Sequence, residues 1–161
     1  MTAILVTGMS GTGKSTLLDE LARRGRAVVD LDDPGWSVEV ATADGDGLEQ
    51  LWDEARVAAL LSAHDGRPLV VAGCAANQGG FYDRFAAVVL LTLPVEVLRA
   101  RLATRDTNDF GKTPEELDRI LRDLAEVEPL LRATATRELD GTAPVDDLAD
   151  EVESLLAAPG R

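Results

Sequence analysis

The chain has a single cysteine, Cys74, among its 161 residues. No internal disulfide can form, and a reducing, cytoplasmic setting is expected. It has no apolar run approaching membrane-spanning length, and its first residues read as a strand rather than a basic, apolar leader. No membrane association is expected. Positive charge is also scarce: 16 Lys and Arg stand against 29 Asp and Glu, a formal net charge of −13. A surface of that sign repels a nucleic-acid backbone, which argues against DNA or RNA as a partner. No repeat, linker or low-complexity stretch divides the sequence. Its length and 45% hydrophobic content suit one domain, 1–161, with a sound core.

What is present begins with Gly8-Met9-Ser10-Gly11-Thr12-Gly13-Lys14-Ser15-Thr16. An apolar run, Ala3 to Val6, precedes it, and a segment with Leu17, Leu18 and Leu21 follows. Strand, glycine-rich loop and helix in that order are what a phosphate-binding loop requires. The glycines permit backbone conformations in which successive N–H groups point at phosphate oxygens. Lys14 adds a charge for the outer phosphates, and the Ser15 hydroxyl is placed to ligate Mg2+. The start of the helix adds its unpaired N–H groups and the positive end of its dipole. Gly8, Ser10, Gly11, Thr12, Gly13, Lys14, Ser15 and Thr16 are thus candidate nucleotide-binding residues, and the expected ligand is a nucleoside triphosphate.

Strand and helix patterns alternate along the rest of the chain, which predicts an α/β fold with a mainly parallel sheet. Arg26 to Asp30 reads as a second strand, and residues 35–47 as a loop rich in Gly, Asp and Thr. The apolar spacing from Leu48 to about Ala63 predicts an amphipathic helix. Pro68 to Ala72 is a third strand, followed by a polar loop from Gly73 to Gly80, and Ala86 to Thr92 is a fourth. A helix carrying Leu98 and Leu102 leads to a polar loop, Asp106 to Lys112. Thr113-Pro114-Glu115-Glu116 opens another helix with a Thr cap and a capping box, which Pro129 either ends or kinks. Thr136 to Leu139 predicts a last strand and Pro144 to Leu156 a last helix.

Ligands of open α/β sheets bind beyond the carboxyl ends of the strands. Asp30, Asp32 and Asp33 close the second strand and Gly73 the third, which puts them on the same rim as the phosphate loop. A carboxylate there can hold magnesium through water or accept a proton from an attacking hydroxyl. Asp30 and Asp32 are the candidates, and two carboxylates could divide those tasks. Asp33 equally suits a plain strand end.

Gly8 to Thr16, Asp30-Leu31-Asp32 and Arg101-Leu102-Ala103-Thr104-Arg105 before a polar loop together resemble the small P-loop kinases, such as the shikimate kinases and the adenylate-kinase group. The resemblance covers nearly the whole chain. It implies three layers around a five-stranded parallel sheet in the order 2-3-1-4-5, a substrate-binding region at about 33–64 and a lid at about 105–114. It also implies that Asp30 sits near magnesium, that Asp32 contacts the acceptor hydroxyl, and that Arg105 reaches the phosphates from the lid. Lys14, Asp32 and Arg105 are then the catalytic candidates. Arg101 lies against adenine by the same resemblance, and Gly141-Thr142-Ala143-Pro144 borders the base, which makes Pro144 a nucleotide contact. Gly73 is a substrate-side candidate. Arg56 has two readings, a substrate contact by the family's layout or a surface side chain.

Two departures bear on the acceptor. Shikimate kinases carry three glycines where this chain reads Gly73-Cys74-Ala75, and an arginine two residues before a Pro-Leu-Tyr stretch, where Val127 stands here before Pro129-Leu130-Leu131. A carboxylate substrate loses its bidentate partner by that change, which disfavours shikimate. The expected activity is transfer of the γ-phosphate of Mg-ATP to a hydroxyl of a small metabolite. A nucleoside monophosphate kinase is the alternative within the fold, with Arg56, Arg67 and Arg84 as its acceptor arginines. A regulator that binds and slowly hydrolyses ATP is the alternative of another class. Monomer and homodimer both remain open. Cys74 reads as a small buried residue more than a nucleophile, His64 as a helix cap, and Trp52 as packing.

Overall fold

The computed structural model describes residues 3–9, 11–41, 45, 47–64, 66–104 and 113–157. Five short segments form one parallel sheet: β1 (Ala3–Thr7), β2 (Val28–Asp30), β5 (Leu69–Ala72), β6 (Ala87–Thr92) and the edge strand β7 (Arg137–Asp140), whose one buried residue is Leu139. Between β2 and β5 the chain makes a separate antiparallel pair, β3 (Ser37–Ala41) and β4 (Leu48–Trp52). The helices are α1 (Lys14–Arg23), α2 (Glu54–Ala63), α3 (Val95–Thr104), α4 (Pro114–Thr134) and α5 (Val145–Ala157). Strand order in the large sheet is β2-β5-β1-β6-β7. Counted among the parallel strands, that is the expected 2-3-1-4-5.

Alternate residues of a strand point to opposite faces, and β1 shows what this does to the core. Ile4 and Val6 join Leu17, Leu18 and Leu21 of α1 and Leu148 and Val152 of α5 on one face. Leu5 joins Val57 and Leu61 of α2, with Phe81, Phe85 and Trp52, on the other. Both faces of the sheet are therefore covered, as a parallel sheet requires. A third apolar cluster ties Leu98 and Leu102 of α3 to Ile120 of α4. Among the described residues no helix is long and apolar enough to cross a membrane.

Three expectations need correction. Residues 48–52 are strand, not the start of a helix, and the stretch read as a loop over 35–47 contains β3. Leu48, Leu51 and Trp52 have helical spacing, but the helix begins only after Asp53, whose carboxylate accepts from the Arg56 N–H at 3.2 Å. That is an N-cap, and it leaves the preceding five residues free to pair with Ser37–Ala41. The pairing is pinned from outside: Asn77 accepts from the Trp52 N–H at 2.9 Å and donates to the Trp52 carbonyl at 3.0 Å. The loop after β5 is also shorter than expected, since Gln78–Arg84 is a 3-10 segment. Pro129 does not end its helix: α4 runs through it to Thr134.

Candidate active site

The phosphate loop follows β1 directly, and its shape is set by backbone that side chains resist. Gly8 has φ +148°, and a Cβ there would come within 2.6 Å of the Leu91 carbonyl oxygen. Gly13 caps α1 in the left-handed region, with φ 104° and ψ 16°. Lys14 is buried, with 8% of its surface exposed, and its ammonium donates to the carbonyls of Gly8 at 2.6 Å and Met9 at 3.1 Å. The Ser15 hydroxyl donates to Asp30 Oδ2 at 2.8 Å. Ser10 lies outside the described residues.

Asp30 also accepts, through Oδ1, the Asp32 N–H at 3.0 Å. This turns the chain so that Asp32 faces the cavity while Asp30 stands behind Ser15. Asp32 Oδ1 in turn accepts the Cys74 N–H at 3.3 Å, which joins the ends of β2 and β5. Asp32 is an exposed residue at the cavity wall, but surrounding protein partly desolvates its carboxyl and pushes it above the usual aspartate value. Lys14 and the Cys74 N–H pull it down, and Asp30 and Asp33 push it up further. Burial likewise raises the Cys74 thiol, so the thiol stays protonated near neutrality and is a poor nucleophile.

A cavity of about 1230 Å³ opens over the loop. Gly11, Thr12, Gly13, Lys14, Ser15 and Thr16 form its floor, and Asp32, Cys74, Ala75 and Ala76 its wall at the strand ends. Arg101 of α3 also lines it and donates to the Gly141 carbonyl at 3.1 Å. That contact draws the β7–α5 turn over the loop: a Cβ at Gly141 would lie 2.8 Å from the Thr12 carbonyl oxygen. Gly141 and Ala143 line the cavity there, while Pro144 is not part of its lining; its carbonyl starts α5 by accepting from Asp147 and Leu148.

The other substrate-side candidates are placed differently. Gly73 lies between Leu31 and Trp52, with 3.1 Å and 3.2 Å available to a Cβ, and it is the neighbouring Cys74 that lines the cavity. Arg56 donates to the Gly35 carbonyl and sits over the Trp36 ring, 5.2 Å from its centroid, outside the cavity lining. Trp52 packs against Phe81 with ring centroids 5.9 Å apart. His64 is the C-cap residue of α2, its Nδ1 3.2 Å from the Leu60 carbonyl. Arg105 and most of the proposed lid lie outside the described residues.

Several cavity residues escaped the sequence reading. Glu49 and Gln50 come from β4, which was read as helix, and Arg119, Asp123, Val127 and Leu131 from one stripe of α4. Their four-residue spacing was visible, but nothing in the sequence says which stripe of α4 meets the loop. Buried Gln78 supports the wall from behind: it accepts from the Ala75 N–H at 2.9 Å and donates to Thr7 Oγ1 at 3.1 Å and to Tyr82 Oη at 2.8 Å. Val127 presents an apolar side chain to the cavity.

Residues 4–122 match the model of a family described as an AAA domain. No curated protein matches the chain in sequence. Among solved structures, it is similar to shikimate kinase from Bacteroides thetaiotaomicron, with 20% identity, a TM-score of 0.67, and coverage of 98% of this chain and 99% of that one. It is also similar to shikimate kinase from Acinetobacter baumannii in complex with shikimate, at 21% identity and TM-score 0.63, covering 97% and 93%. A gluconokinase from Sinorhizobium meliloti matches at 23% identity and TM-score 0.53, covering 96% and 91%.

Proposed function

We propose, for a chain that belongs to the AAA domain family and has the fold of the small P-loop kinases, that it moves the γ-phosphate of Mg-ATP to a hydroxyl of a small metabolite other than shikimate. One observation carries the reading: Ser15 Oγ meets Asp30 Oδ2 at 2.8 Å, and Asp32, two residues on, faces the same cavity as the loop. A phosphate loop alone serves any nucleotide hydrolase. A second carboxylate in the cavity wall gives the site a group for an acceptor.

The donor set suits magnesium, because a hydroxyl and a carboxylate oxygen already converge beside the loop and both are hard ligands. Ser15 and Asp30 would hold the ion, which when bound neutralises charge on the phosphate oxygens. The loop N–H groups and the start of α1 bind and orient the triphosphate. Lys14 supplies charge to its outer phosphates. Asp32 takes the proton of the acceptor hydroxyl as that oxygen bonds to the γ-phosphorus and the bond to ADP breaks. Its raised pKa brings it nearer the working pH, which makes it a better proton acceptor than an ordinary aspartate.

Val127 in the cavity lining supports an acceptor that is not held by a carboxylate-binding arginine at that position. A nucleoside monophosphate kinase is less well supported: Arg56, Arg67 and Arg84 hold the Gly35 carbonyl, the Ala63 carbonyl and Ser62, and none of them lines the cavity. The test is a metabolite screen for ADP release above the basal rate, with mass detection of the phosphorylated product. A hydroxyl compound that gains one phosphate bears the reading out. Basal hydrolysis that no metabolite accelerates favours a nucleotide-dependent regulator instead.

A further inference from the structure

A site that holds an anion does so with free backbone N–H groups or with cations. The wall beside Asp32 offers neither among its first residues. The Cys74 N–H donates to Asp32 Oδ1 at 3.3 Å, and the Ala75 N–H donates to Gln78 Oε1 at 2.9 Å. Gln78 is 2% exposed, and its amide nitrogen is tied to Thr7 Oγ1 at 3.1 Å and Tyr82 Oη at 2.8 Å, so its oxygen is fixed toward Ala75. Both N–H groups are therefore closed to a ligand's carboxylate or phosphate. The cations of the cavity lie by the loop: Lys14 holds the carbonyls of Gly8 and Met9, and Arg101 that of Gly141. Arg119 adjoins Ile120, which packs on Leu98 and Leu102 beside Gly11, and Asp123 stands four residues along the same side of α4.

The β3–β4 hairpin adds the one side-chain amide among the described lining residues, Gln50. Side chains alternate along a strand, so Gln50 and Trp52 share one face of β4 and Glu49 and Leu51 the other. Trp52 shows which face looks inward. It is 1% exposed, and its ring stands 3.2 Å from where a Cβ on Gly73 would be. Gln50, about 7 Å back along the strand, is thus turned to the side of Gly73 and the wall that follows it, and Glu49 is turned away. The face is held in place from outside: Asn77 takes both backbone groups of Trp52, and the Asp53 N–H donates to the Trp36 carbonyl at 2.8 Å.

We propose that the acceptor is an uncharged polyhydroxyl compound, its reacting hydroxyl at Asp32 and a second hydroxyl on the Gln50 amide, a proposal that rests on the kinase reading of this cavity. An amide presents a carbonyl oxygen and an NH2 group together, and a hydroxyl is both donor and acceptor, so the two match. An ammonium can only donate and leaves the NH2 group without a partner. A carboxylate can only accept, and here it meets the charge of Asp32 with the nearest N–H groups already taken. Gln78 closes the wall to anions, and the hairpin selects among what is left.

The test sorts by charge the compounds that gain a phosphate in the metabolite screen. Two matched sets that differ mainly in charge are run beside them: glucose, gluconate and glucosamine, and glycerol, glycerate and serinol. KM for each accepted compound and for Mg-ATP is then measured on wild type, Gln50→Ala, Gln50→Asn and Val38→Thr, the last an exposed residue on the opposite face of the hairpin and outside the cavity. The accepted compounds should be uncharged. Gln50→Ala should raise their KM roughly three- to tenfold, the scale of one neutral hydrogen bond, while the Mg-ATP KM holds. Gln50→Asn should recover part of the loss, and Val38→Thr should leave both constants at the wild-type values. Accepted compounds that are anionic or cationic overturn the proposal and leave the kinase reading standing. So does an acceptor KM that Gln50→Ala does not move, or one that moves together with the Mg-ATP KM, the mark of a displaced hairpin. A screen in which nothing gains a phosphate overturns the kinase reading and this proposal with it.

Discussion

The phosphate loop and the β3–β4 hairpin border the same cavity and are held by opposite means. The loop is held by its own backbone: left-handed glycines, the Lys14 ammonium on the carbonyls of Gly8 and Met9, and the Thr12 hydroxyl on that of Met9 at 2.9 Å. All of these contacts lie within six residues of chain. The hairpin, which brings Glu49 and Gln50 to the cavity, is held by Asn77, 25 residues away, through both backbone groups of Trp52. Binding of a ligand common to a whole fold can be written into a contiguous stretch. The rest of the cavity wall is assembled here from distant segments, and such a wall is free to differ between proteins with the same loop.

The largest expected effect is on the self-contained side. Lys14→Ala should lower phosphoryl transfer by about a hundred- to a thousandfold, the usual consequence of removing a group that stabilises developing charge, while circular dichroism stays that of the wild type. Normal turnover by a folded variant would show that the loop does not hold the transferred phosphate.

A smaller effect is expected on the assembled side. Asn77→Ala strips both backbone groups of buried Trp52 of their partner, at a cost of roughly 1–3 kcal/mol by urea denaturation. The acceptor KM should rise while the ATP KM holds. If both constants shift together, the hairpin and the loop are one unit and the contrast between them fails.

The smallest effect is on stability and concerns Asp32, whose desolvation lifts its carboxyl above the ordinary value. A raised acid favours the folded state in its protonated form. That contribution is present below the ordinary aspartate pKa and lost as pH rises through the folded value. Asp32→Asn, which keeps an oxygen for the Cys74 N–H, should therefore melt slightly above wild type at pH 7, and the gap should close as the pH falls into the carboxylate range. Wild-type transfer should also fall on acidification at a higher pH than an ordinary aspartate would give. A melting gap that widens toward acid contradicts the assignment.

The same contrast governs what the sequence reveals. The loop, the five parallel strands and the capped start of α4 are legible in the residues themselves, because strand runs, glycine spacing and Thr113-Pro114 act locally; the strand order follows only from the resemblance to the small P-loop kinases. Thr113 does cap α4, accepting from the Glu116 N–H at 3.2 Å. The hairpin was not legible, since Leu48, Leu51 and Trp52 satisfy a helical period and the partner strand and Asn77 decide against it from elsewhere. Arg119 was hidden for a related reason. Its place on the cavity depends on how Ile120 packs against α3, a tertiary fact that no spacing in α4 contains.

The central proposal is that Asp30 and Asp32, two residues apart, divide the work between magnesium and acceptor. Asp30 accepts from Ser15 of the phosphate loop, and Asp32 lines the cavity. The most direct measurement compares Asp30→Asn with Asp32→Asn for Mg-ATP affinity and for acceptor-dependent turnover. Asp32→Asn should lose roughly a hundredfold or more in turnover, the scale of a general base, with ATP affinity within a few-fold of wild type. Asp30→Asn should lose nucleotide affinity and turnover together and require more magnesium. An Asp32 variant that loses ATP binding as severely as the Asp30 variant, or one that keeps full transfer activity, would contradict the account.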